Sequence, residues 1–215
     1  MEQSNFFAKV YLWLFAGLMV TFVTGSIVAS TPAMLEVVFS KGFFFFIVIA
    51  ELITVIALSA RISKMSPQGA KIGFILYSFL SGLTFSTIFL AYNINSIMYI
   101  FLITALILLV FSVIGFKTKM NLTGLGTFLI MILFAIIIGI VINIFIGSST
   151  LDMALCIGSL IIFIGFIAYD VQKIKRLNEA MPDNENVAII GALELYLDFI
   201  NIFINLLSLF GSSRD

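Results

Sequence analysis

The feature that most restricts this chain is a series of seven apolar runs, each near the length a helix needs to cross a bilayer. They cover Phe7–Ala29, Phe43–Ala60, Ile72–Tyr92, Ile97–Phe116, Leu125–Ile146, Leu151–Tyr169 and Val187–Phe210. A helical span takes about 20 such residues. Polar breaks at Ser63–Gly69, Asn93–Ser96, Lys117–Thr123 and Gly147–Thr150 separate them, and the longest and most charged connection is Val171–Asn186. The runs are continuous rather than alternating with period two, which argues against a transmembrane barrel. Composition agrees: of 215 residues, 62% are hydrophobic and 10% charged. A soluble domain holds roughly 45–50% and about 25%. The chain reads as one all-α integral membrane domain, residues 1–215, with seven transmembrane helices.

Charge and residue type exclude several function classes. Eleven basic and eleven acidic residues cancel, so nothing points to nucleic acid as a partner. There is no histidine, hence no imidazole base, metal ligand or neutral-range proton switch. Serine and zinc intramembrane proteases both need one. The glycine-flanked aspartate of intramembrane aspartyl proteases is missing too, since Leu197 precedes Asp198. The expectation is that the protein is not an enzyme and carries no cofactor. Cys156 lies in an apolar run and reads as a packing residue.

The first span has an apolar core longer than a cleavable signal uses, despite Val28-Ala29-Ser30 at its end. Orientation follows from the basic residues. Lys9, Arg61, Lys64, Lys71, Lys117, Lys119, Lys173, Lys175 and Arg176 fall on one side, and only Lys41 and Arg214 on the other. The N-terminus is therefore expected in the cytoplasm, and seven crossings put the C-terminus outside. A re-entrant last segment would return it inside. Tyr11, Trp13 and Tyr169 at inner ends, with Tyr92 and Tyr99 at outer ends, suit interfacial anchors. Gly17, Thr21, Gly25 and Ala29, like Ser78, Gly82 and Ser86, repeat every four residues, a spacing that lets helix backbones approach closely.

Ionisable groups at membrane depth are expensive and are functional candidates by default. At 100° per residue, Glu194, Asp198, Asn201 and Asn205 fall at about 0°, 40°, 340° and 20°, one ridge of the last helix. Such a ridge is either a hydrogen-bonded seam or the lining of an ion or proton path, with Asp198 as its titrating group. Asp170 closes the sixth span, and Arg61 closes the second at the same level. Glu51 lies ten residues before Arg61, about 15 Å deeper. It is either a carboxyl satisfied by a neighbouring helix or part of the path. Counting from Gly211 puts Asp198 about 20 Å from the outer edge, and counting from Asp152 puts Asp170 about 27 Å from it. Both lie in the inner half; spacing alone does not bring them together.

The stretch Leu195-Tyr196-Leu197-Asp198-Phe199-Ile200-Asn201-Ile202-Phe203-Ile204-Asn205-Leu206-Leu207 resembles the last-helix signature of the transmembrane Bax inhibitor motif (Bax inhibitor-1-like) family. Ala168-Tyr169-Asp170 resembles the end of that family's sixth helix, and Glu51 through Arg61 its second. The resemblance covers essentially the whole chain. It implies six helices surrounding a central seventh, acting as a pH-dependent calcium leak in a bacterial plasma membrane. It implies further that Asp170 and Asp198 share a proton and bind calcium, and that Arg61 latches onto Asp170 in the closed state. Glu51, Glu194, Asn201 and Asn205 would then be polar groups along the path. Two positions depart from the pattern: Ser208 stands where arginine is frequent, and Glu194 where an uncharged residue is common. Calcium takes oxygen ligands only, which the ridge supplies. Two nearby carboxylates titrate as a unit, giving a switch without histidine. Two rivals stay open: a proton-coupled cation transporter, and a regulator that binds a membrane protease or a death-pathway partner.

Overall fold

The computed structural model describes residues 2–40, 42–182 and 184–214, without the side chains of 2–4. Lys41, set opposite the nine other basic residues above, lies outside the described residues. Among the described residues eight α-helices follow one another: α1 (Glu2–Ser30), α2 (Pro32–Val38), α3 (Phe43–Arg61), α4 (Pro67–Ala91), α5 (Ile94–Lys117), α6 (Thr123–Ile146), α7 (Ser149–Ala180) and α8 (Asn186–Phe210). All but α2 are long and apolar enough to cross a membrane. The molecule is an all-helical membrane protein of seven spans, as its apolar runs predict.

Local chemistry sets the helix ends. Pro32 lacks an amide hydrogen, so α1 stops before it, and Pro32 opens α2 instead. Ser66 caps α4, its hydroxyl accepting from the Gly69 amide at 3.1 Å, with Pro67 in the first turn. Gly147, at φ 67°, ends α6 in the left-handed conformation that glycine adopts without strain.

One expected boundary is wrong. The connection expected at Val171–Asn186 is helix as far as Ala180, leaving only 181–185 between α7 and α8. Charge there does not break the helix, because Gln172, Lys173, Lys175, Arg176 and Glu179 are good helix formers. With 32 residues, α7 is about 48 Å long, beyond the ~30 Å hydrocarbon core, so its charged end stands in water. Pro182 lies just past its end.

The helices divide into two compact units, residues 1–94 with 177–196 and 213–215, and residues 95–176 with 197–212. In the first unit the small-residue stripes of α1 and α4 face one another. A Cβ on Gly82 would lie 2.9 Å from the Thr21 carbonyl oxygen, and one on Gly17 would lie 2.6 Å from the Phe74 ring. Backbones this close leave no room for larger residues. Asn186 at the start of α8 donates to the carbonyls of Ile62 and Met65, at 2.9 and 2.8 Å. Beyond the other end of α8, the Arg214 amide donates to Ala91 at 2.9 Å, and Ser213 bridges Tyr92. Within this unit, Asn186 and Arg214 thus meet opposite ends of α4.

In the second unit, Gly115 of α5 packs on the backbone of Ala168, and Gly126 of α6 lies under the Tyr169 ring. Leu129, Ile136, Ile162 and Phe166 form the apolar core between α6 and α7. Phe101 meets Phe199 of α8 edge-on at 5.0 Å. Burial separates the spans: 67% of the apolar window of α8 is buried, against 11% in α3 and α6. Of the seven spans, the last is the most buried.

Candidate functional site

Continuity of α8 from Asn186 to Phe210 keeps Glu194, Asp198, Asn201 and Asn205 on one ridge. Asp198 is 3% exposed; the other three are half-buried. Both asparagines turn their amide donors onto their own helix, Asn201 Nδ2 to Leu197 O and Asn205 Nδ2 to Asn201 O, each at 2.7 Å. The side-chain carbonyls keep acceptor capacity, so the ridge offers oxygen more than N–H. Cys156 donates its thiol to the Asn205 carbonyl at 3.4 Å, which suits the packing role expected of it.

Asp170, on α7, is buried at 8% exposure and belongs to the second unit, as Asp198 does. Among the described residues these two are the only buried carboxylates. Apolar and polar contacts hold α7 on both sides of Asp170. Ala168 and Tyr169 pack on Gly115 and Gly126. Two residues on, Gln172 donates to the Met120 carbonyl at 2.8 Å and accepts from the Leu122 amide at 2.9 Å. One turn further, Arg176 donates to Asn121 Oδ1 at 3.1 Å and Thr123 Oγ1 at 2.9 Å. Lys175 stands 4.9 Å from the centre of the Phe116 ring. These contacts tie the α5–α6 connection to α7 and hold the stretch of helix that carries Asp170. The missed helical extension is what makes the clamp.

Arg61 is the last residue of α3, exposed, and belongs to the first unit. A cation there also complements the C-terminal end of the helix dipole. Glu51, half-buried on the same helix, accepts hydrogen bonds from Ser81 and, at 3.0 Å, from Thr84, both on α4. That matches the reading of a carboxyl satisfied by a neighbouring helix.

Sequence reasoning missed three features. Ser81 and Thr84 lie three residues apart on α4, beside the Ser78–Gly82–Ser86 stripe, and only the polar spacing hinted at a second face. Tyr196, two residues before Asp198, is fully buried between the rings of Phe74 and Tyr77, with its hydroxyl 2.7 Å from Thr21 Oγ1. Its apolar neighbours gave no sign of this bond. Last, Glu185 in the α7–α8 connection pairs with Lys71 at 3.0 Å. That hydrogen-bonded lysine holds the Glu185 carboxyl below its usual range. No three histidine, cysteine or acidic side chains gather into a metal cluster among the described residues.

A family described as "Inhibitor of apoptosis-promoting Bax1" matches residues 3–215. Inner membrane protein YbhL of Escherichia coli is 39% identical over 98% of this chain and 93% of its own length. A protein of Borreliella burgdorferi is 36% identical over 99% of this chain and 94% of its own. A membrane protein of Streptococcus pyogenes is 39% identical over 76% of this chain and 72% of its own.

Proposed function

The chain belongs to the Bax inhibitor-1-like family of integral membrane proteins, and from that premise we propose that it is a pH-dependent calcium leak. The observation that carries the proposal is the burial of two carboxylates, Asp170 and Asp198, on consecutive spans of a protein without histidine. Carboxylates in a membrane interior are costly to keep and mark ion or proton paths. Calcium, the cargo, is taken by carboxylate and amide oxygens, which the α8 ridge offers through Asp198, Glu194, Asn201 and Asn205. Sharing one proton, Asp170 and Asp198 titrate as a pair, and protonation trades against calcium at the same oxygens.

In this reading Arg61 pairs with Asp170 in the closed state, and acid releases the latch from the aspartate side, because arginine stays charged. The face carrying the nine basic residues is cytoplasmic, with the N-terminus on it and the C-terminus outside. Purified protein in liposomes, with a calcium indicator inside, tests the function: calcium influx that changes with external pH is expected. Saturable counter-flow instead of a leak would favour a proton-coupled transporter. The family description supports one further reading, a regulator that binds a membrane partner, and a specific protein co-purifying at fixed stoichiometry would favour it.

A further inference from the structure

Lys9 and Trp13 of α1, Lys71 of α4 and Glu185 line a cleft of about 480 Å³ within the first unit, with Phe6 in its apolar wall. Nothing in the calcium reading uses it. Lys9 lies eight to nine residues from the middle of its span and Lys71 eight from the middle of its own, about 13 and 12 Å along the axes. A hydrocarbon half-layer is about 15 Å, so both ammonium groups reach the phosphate layer on flexible stems. The wall is aromatic: Trp13 is half-buried and set edge-on against Phe74 at 6.5 Å. Trp13 lies one turn deeper than Lys9, about 7 Å from the middle of the span and so at acyl-chain level. Two lysines and one glutamate leave the cleft with one net positive charge among the described residues. Glu185 already engages Lys71, and both side chains are well exposed, at 62% and 36%. An ion pair that wet is weak and open to exchange.

We propose that this cleft binds the phosphate of an anionic phospholipid headgroup. Lys9 supplies the principal charge, Lys71 is shared with Glu185, and Trp13, one turn deeper, faces the upper acyl chain. A basic pocket between membrane helices at headgroup depth has the chemistry such lipids need. A free phosphate compound shares the anion but makes no use of the aromatic wall.

Trp13 is the chain's one tryptophan, so its fluorescence reads the cleft directly. The full chain in neutral detergent is titrated with phosphatidylglycerol or phosphatidylcholine brominated on the acyl chains. Half-maximal quenching of Trp13 is expected at roughly one-fifth the mole fraction for the anionic lipid, the preference one lysine supplies at an anionic surface. Lys9→Gln with Lys71→Gln should erase the preference, and Glu185→Gln should strengthen it, since the resident carboxylate no longer competes. Equal quenching by the two lipids, or a preference surviving the double lysine variant, would overturn the site. Relief of quenching by glycerol phosphate at the lipid's own half-effect concentration would assign a soluble phosphate and overturn the lipid reading.

Discussion

At the scale of single residues, the membrane interior decides which polar groups survive. Glu51 is held by two hydroxyls of α4, so Glu51→Ala leaves Ser81 and Thr84 to find other partners. A loss of about 1–3 kcal/mol in unfolding free energy is expected, measured by denaturant melting in detergent. Wild-type stability for Glu51→Ala would refute the seam. Outside the membrane, Glu185 offers a pH test with a definite sign. Its folded pKa is depressed, so the Lys71 pair stabilises above the ordinary carboxylate range and is lost as pH falls through the lower folded value. The melting difference between wild type and Glu185→Gln should therefore be present at neutral pH and vanish in acid. A difference that persists in acid would contradict the pairing. Arg61→Ala should raise calcium leak at neutral pH by roughly tenfold and flatten its pH dependence, taking the latch as an interfacial pair worth about 1.4 kcal/mol. Leak at or below the wild-type rate would remove the latch and leave Arg61 as a helix-end cation.

At the scale of elements, small residues set how closely spans approach. Gly115 faces the backbone of Ala168, which cannot swing aside as a side chain does. Gly115→Ala should cost about 1–3 kcal/mol by overpacking. Gly124 has open space around its Cβ position, and Gly124→Ala should be neutral or gain up to about 1 kcal/mol of helix propensity. Equal melting of the two variants would contradict this packing. The seven spans and the α1–α4 stripes were legible because burial in lipid and close packing write directly into hydropathy and residue size. The end of α7 was not, because a helix leaving the membrane keeps its hydrogen bonds while its side chains turn polar. The partners of Glu51 and Tyr196 were not legible either. Periodicity orders one helix but carries no record of which neighbour faces it. Of the candidate site, the ridge on α8 was readable by angle alone; the clamp on the stretch of helix that carries Asp170 needed the fold.

At the scale of the whole molecule, Asn186 bonds at the α3–α4 turn and Arg214 at the far end of α4, so the two flank a span-length helix. Reporter fusions after Glu185 and after Arg214 should accordingly read out opposite faces of the membrane, the first cytoplasmic. Matching faces would contradict seven crossings. We propose that a proton shared by buried aspartates controls a calcium path, and Asp198 is the more buried of the two. Calcium influx into liposomes should be measured for wild type and Asp198→Asn across a series of pH values. The substitution keeps shape and removes the titrating group. Asp198→Asn should bind calcium more weakly and lose most of the pH response; full retention of the wild-type pH response in that variant would overturn the shared-proton switch.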